Sequence, residues 1–167
     1  MIQPFDKDLL LTAFEPASAA GPRKVGLETE KFLLDASSGK AWPVNGEDGV
    51  QWIMKELADR FGYTVTSEGN SIVALQRDGH QVSLEPGGQI EFSSLQSEYI
   101  SDLYQAELKH LKELKEILAG KNIAISYIAC HPVSDPQDVE WVSKKRYQLM
   151  REYFKKTGDL GEWMMKM

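Results

Sequence analysis

The chain has 167 residues, which at roughly 150 residues per domain makes one domain. Its 19 Lys and Arg against 25 Asp and Glu give a net charge of −6, which argues against nucleic-acid binding through basic patches. A hydrophobic content of 42% argues against disorder, and no apolar run is long enough to span a bilayer.

Residues 1–23 are weakly patterned, and Met1 to Thr12 lack the basic start and apolar core of a signal peptide. The small-residue stretch 16–22 reads as a loop. Lys24–Asp35 predicts a strand in which Val25, Leu27 and Thr29 alternate with Glu28, Glu30 and Phe32. A loop follows over 36–49. Asp48 is placed to cap a helix with the apolar stripe Val50, Ile53, Met54, Leu57 and Phe61, ended by Gly62. Tyr63–Thr66, Ser71–Gln76 and Gln81–Ser94 predict strands, with Asp78-Gly79 as a hairpin turn.

Glu98–Leu118 predicts the longest helix, its stripe made by Ile100, Leu103, Leu108, Leu111, Leu114 and Leu118. Asn122–Ala129 predicts a short strand stopped by His131-Pro132, and Asp138–Lys156 a second long helix. The last five residues hold one Trp and three Met, so a further element is expected to follow. Strands grouped with flanking helices, rather than strict alternation, predict an α+β fold with an antiparallel sheet. Cys130 is alone and cannot form an internal disulfide; with no signal peptide, the expected compartment is the cytosol. Its expected place is a buried strand end.

Glu28 and Glu30 lie two apart on a strand, on one face, with Cα atoms roughly 7 Å apart. The opposite face, carrying Val25 and Leu27, is expected to meet the core. Two carboxylates at that spacing repel unless a cation lies between them, and a hard ion such as Mg²⁺ takes carboxylate and phosphate oxygens together. The bland alternative is a solvated strand face. A second acidic stretch runs over 82–94. Ser83 and Glu85 share one face before the Pro86-Gly87-Gly88 break, and Gln89 and Glu91 share one after it. The break is either a bulge that lets a ligand approach the backbone or a tight turn between two strands.

These residues resemble a known family. Val25-Gly26-Leu27-Glu28-Thr29-Glu30-Lys31-Phe32, and Arg77-Asp78-Gly79 followed by Ser83-Leu84-Glu85-Pro86-Gly87-Gly88-Gln89-Ile90-Glu91-Phe92-Ser93-Ser94, are similar to glutamate–cysteine ligases of the plant and proteobacterial type. Trp141 to Met150 and Gly158 to Met165 resemble the same family, in the same order. The resemblance implies the first step of glutathione biosynthesis: ATP phosphorylates the glutamate γ-carboxylate and the cysteine amine displaces phosphate. It implies the fold of glutamine-synthetase-like ligases, whose antiparallel sheet carries metal-binding carboxylates on one face. It implies Mg²⁺ on Glu28, Glu30, Glu85 and Glu91, and substrate contacts from Arg146 and Gln89. Arg146 stands in the family's Arg-Tyr pair, where its fork of donors suits a substrate carboxylate. The bland reading of Arg146 is a basic helix face with Lys144 and Lys145. No residue is assigned as catalytic acid, base or nucleophile. No Walker-type glycine loop is present, and none is needed.

The implied partners are glutamate, cysteine and ATP, with neither nucleic acid nor membrane. Family enzymes are more than twice as long, so the chain reads as their N-terminal portion. An incomplete sheet is expected to self-associate through an open edge. The alternatives are a non-catalytic module binding Mg-nucleotide or a partner chain, and a related carboxylate–amine ligase. His80, His110 and His131 receive no role, and His80 and His110 are expected to be solvated.

Overall fold

A computed structural model describes residues 21–158 and 160–166, together with Asp8, Leu9, Leu11 and Thr12. The expected loop over 16–22 falls largely outside them. In chain order the elements are β1 (Glu28–Asp35), α1 (Val50–Phe61), β2 (Thr64–Glu68), β3 (Ser71–Arg77), β4 (His80–Leu84), β5 (Ile90–Ser93), α2 (Ile100–Ile117), β6 (Ile123–Ser126), α3 (Lys145–Thr157) and α4 (Leu160–Lys166). The strands form one open sheet in the order β2-β3-β4-β5-β1-β6, each neighbouring pair antiparallel. The class is α+β, as expected. β1 is shared along its length: Glu28–Lys31 pair with β5 and Phe32–Asp35 with β6.

Local chemistry explains the turns. Asp78 and Gly79 both take positive φ, 54° and 79°, the type I′ turn whose twist matches the strands it joins. The Pro86-Gly87-Gly88 break is a tight turn, closed by Glu85 N–H to the Gln89 carbonyl and Gly88 N–H to the Glu85 carbonyl, both 2.9 Å. The stretch 81–94 is therefore two strands joined by a tight turn, the second of the two alternatives its sequence offered. Gly87 is required by close approach: a Cβ there would lie 2.6 Å from the Lys166 carbonyl oxygen of α4.

α1 and α2 cover one face of the sheet. Val50, Ile53, Met54 and Leu57 are buried at helical spacing, and Gly62 ends α1 in the left-handed region. They pack with Leu33, Leu75, Val82, Leu84, Ile90 and Phe92, each side chain stabilising the fold by about 1.5–3 kcal/mol through burial. Asp48 does not cap α1. Gly49 holds that position without a side-chain cap, and Asp48 pairs with Lys121 at 2.7 Å instead.

α2 is rotated from its expected stripe. Ile100 and Leu108 are exposed, while Glu107, His110 and Glu113 are buried with Leu103, Leu114 and Ile117. The reason lies on the sheet. Glu107 meets the fully buried Lys31 at 3.0 Å, and Glu113 meets Arg77 at 2.7 Å and the Tyr63 hydroxyl at 2.8 Å. A buried cation without a partner costs more than a solvated leucine. His110 is consequently packed against the Phe92 ring, and not solvated. His80 is half-buried and accepts from Leu95 N–H.

The expected helix over 138–156 begins only at Lys145. Ahead of it Pro136–Asp138 form a single 3-10 turn and 139–144 are irregular, with Val139 and Val142 buried and Val142 N–H donating to the Pro86 carbonyl at 2.9 Å. That bond ties the start of α3 to the β4–β5 turn. The expected strand over 24–35 runs as a strand only from Glu28, with an isolated bridge from Val25 to Ser97 ahead of it; Val25 is half-exposed, and Thr29, Lys31 and Leu33 face the helices. β6 ends at Ser126, which leaves Cys130 exposed rather than buried in a strand end.

Candidate functional site

The face opposite α1 and α2 carries the acidic residues, because alternation sends every second side chain there. Glu28 stands across from Ser93 and Glu30 directly across from Glu91. Glu91 in turn stands across from Ser83 on β4. The Glu91 Oε1 accepts from the Ser83 hydroxyl at 3.2 Å and from the Ser93 hydroxyl at 3.1 Å. Two serines, one beside it and one two residues on, thus hold this carboxylate in place.

Glu85 sits at the start of the β4–β5 turn and is half-buried. It lines a cavity of about 160 Å³ with Glu30, Gln89, Arg146, Tyr147 and three methionines. Arg146 comes from the first turn of α3 and is exposed. The structure therefore gathers Glu30, Glu85, Gln89 and Arg146 at one cavity, with Glu91 and Glu28 on the same face beside it. Gln89 is not free on that face. Its side-chain carbonyl accepts from Gly87 N–H at 2.9 Å, so it braces the turn while lining the cavity.

The electrostatics follow from the crowding. Partial burial in the cavity wall, then the charges of Glu85, Glu91 and Glu28, push the Glu30 carboxyl above its ordinary range. Burial and then Glu91 push Glu85 up as well; the Tyr147 hydroxyl and the charges of Lys144 and Arg146 oppose that rise. Among the described residues no three His, Cys, Asp or Glu side chains converge tightly enough to cage a metal ion unaided. The face is a shared negative field bordered by cations on α3.

Two features escaped the reading from sequence. Tyr147, buried to 1% exposure, donates to the Leu84 carbonyl at 2.7 Å and to Glu85 Oε1 at 3.2 Å. Met150, Met164 and Met165 line the cavity through helices far along the chain. The Arg-Tyr pair was the visible signal for the first; nothing local signalled the second. His131, from the segment after β6, is buried and packs at a tilt against Phe32, ring centroids 4.2 Å apart.

Residues 24–167 match Glutamate-cysteine ligase family 2 (GCS2). A chloroplastic glutamate–cysteine ligase of Medicago truncatula is 30% identical over 142 residues, covering 85% of this chain and 27% of that protein. The chloroplastic glutamate–cysteine ligase B of Oryza sativa subsp. japonica is 30% identical over 168 residues, covering 99% of this chain and 33% of that protein. That of Brassica juncea is 29% identical over 142 residues, covering 85% of this chain and 27% of that protein. The chain spans a third or less of the length of these relatives. With the match running from just ahead of β1 through α4, the chain belongs to glutamate-cysteine ligase family 2.

Proposed function

We propose that this chain carries the cation- and substrate-binding strands of an ATP-dependent ligase joining the glutamate γ-carboxylate to the cysteine amine. The observation that carries the reading is Glu30 facing Glu91 across β1 and β5, beside Glu28 and Glu85, with Arg146 at the shared cavity. Like charges directly opposite on a sheet are destabilising, so this row has a chemical reason beyond folding.

The donor set suits a hard cation. Mg²⁺ keeps several waters and binds through one or two carboxylates plus substrate phosphates, so an all-protein cage is not required. Glu28, Glu30, Glu85 and Glu91 are the residues that would hold it. Bound there, Mg²⁺ would supply positive charge to the phosphate oxygens of ATP. In the reaction, a γ-carboxylate oxygen of glutamate attacks the terminal phosphorus and ADP leaves. The cysteine nitrogen then attacks the acyl carbon of the acyl phosphate; inorganic phosphate leaves and the amine gives up a proton. Arg146 orients a substrate carboxylate through its paired donors, and Gln89 has its amide NH₂ group left for a substrate contact. The open antiparallel sheet with its acidic uncovered face supports the glutamine-synthetase-like version of the fold.

We further propose that copies associate through β2, whose residues are all exposed at the rim of the sheet. An unpaired strand edge is a template for another strand. Sedimentation velocity over a concentration series is expected to show dimer or larger species, and a monomer throughout refutes the association.

The test of function is ADP release by the chain with Mg-ATP, glutamate and cysteine, beside Glu30→Gln. Turnover that the variant loses supports the ligase. Nucleotide binding without turnover, Mg²⁺-dependent and weakened in Glu30→Gln, supports the non-catalytic Mg-nucleotide module. Neither turnover nor binding overturns both.

A further inference from the structure

Tyr147 joins the start of α3 to the end of β4. Its ring is buried, with the Lys144 ammonium 4.9 Å and the Arg146 guanidinium 5.3 Å from the ring centroid. Its hydroxyl reaches back to the end of β4, 2.7 Å from the Leu84 carbonyl and 3.2 Å from Glu85 Oε1. Lys144 Nζ donates to the same hydroxyl at 3.4 Å. A phenol has one proton and faces two acceptors here, so the bond is shared between them. The shorter bond goes to the Leu84 carbonyl and the longer one to the Glu85 carboxylate.

We infer that Tyr147 is a positioning residue: its hydroxyl, anchored on the Leu84 carbonyl, fixes the Glu85 carboxylate against the cavity shared with Glu30 and Arg146. The inference rests on the reading of these carboxylates as cation ligands. The anchor is rigid for a physical reason. The Leu84 carbonyl belongs to β4, the Glu85 backbone is closed into the turn by Gln89, and the start of α3 is tied to Pro86 by Val142 N–H. A ligand carboxylate held by a hydrogen bond keeps its orientation without reordering at the moment of binding, and partners of this kind are worth about 10–100-fold in metal affinity.

The experiment is Mn²⁺ binding alone, read by titration calorimetry on the full chain, for native protein, Tyr147→Phe, Glu85→Gln and the double variant. Tyr147→Phe is expected to weaken Mn²⁺ by about tenfold. The double variant is expected to bind no worse than Glu85→Gln, because Tyr147 acts only through that carboxylate. Circular dichroism on each variant establishes that it is folded, and Leu149→Ala, at an exposed position of α3 outside the cavity, is expected to bind as the native chain does. Native affinity in Tyr147→Phe, or losses that add in the double variant, overturns the inference while leaving the cation reading intact. Native protein that binds no Mn²⁺ overturns both.

Discussion

Glu30 and Glu91 stand directly opposite each other on adjacent antiparallel strands, on the face of the sheet that α1 and α2 leave uncovered. Partial burial first, then the charges of Glu85, Glu91 and Glu28, push the Glu30 carboxyl above its ordinary range. For an acid whose folded value lies above its unfolded one, the ionised form is disfavoured in the fold. Stability is therefore present at low pH and falls as pH rises through the ordinary carboxylate value toward the raised one. Glu30→Gln is expected to stabilise the cation-free chain at neutral pH by up to about 1 kcal/mol, the size of a cross-strand charge effect. The gain should disappear in excess Mg²⁺, which stabilises only the native carboxylate set. Thermal unfolding with and without Mg²⁺ reads both. A variant less stable than native in the absence of cation would contradict the repulsion.

On the other face, Lys31 is fully buried and Glu107 nearly so, 3.0 Å apart. Burial pulls the Lys31 ammonium below its ordinary range, and the hydrogen bond and charge of Glu107 pull it back. Thr29 and Tyr127 also donate to the Glu107 carboxylate, at 3.0 and 2.6 Å. Removing one partner strands a buried charge, at about 3 kcal/mol or more. Glu107→Leu is expected to lose that much in urea unfolding, and Lys31→Met/Glu107→Leu to recover most of it. A double variant no better than the single one would show that the pair is not the source of the loss.

His110 sets a pH dependence of the opposite sign to Glu30. Burial first, then the charges of Lys31 and Arg77, pull its imidazole down to about 3, and neither ring nitrogen has a partner among the described residues. The native state then binds fewer protons than the unfolded one below the ordinary histidine value. Stability from His110 is complete above about pH 6.5 and falls as the pH drops toward 3, by up to about 1.4 kcal/mol per unit. Burial lowers His131 too, so it adds to the same trend. Urea unfolding at pH 7 and pH 5 should show the loss, and His110→Leu should reduce it. An equal loss in the variant would place the effect elsewhere.

Much of this was readable along the chain. The β3–β4 hairpin rests on Asp78-Gly79, where two residues supply the positive φ that the turn needs. The acidic face rests on a period of two within each strand, which keeps Glu28 with Glu30 and Glu91 with Ser93; the register then sets them and Ser83 on one side. The stripe of α1 obeys its own periodicity, because every residue at that spacing is apolar.

The failures share a cause. α2 offers two stripes, one of leucines and one with Glu107, His110 and Glu113, and the choice is made by Lys31 and Arg77 on distant strands. Val139 and Val142 have helical spacing, but residues 139–144 are irregular, and Val142 finds its hydrogen-bond partner at Pro86. Arg146 was visible as a residue type, yet its place beside Glu85 depends on Tyr147 crossing 62 residues of chain to reach that carboxylate. Short-range periodicity and turn chemistry are properties of neighbouring residues, so they can be read in order. Which buried charge meets which partner, and which carboxylates share one cavity, is settled by strand register and by the cost of leaving a polar group unpaired in the core.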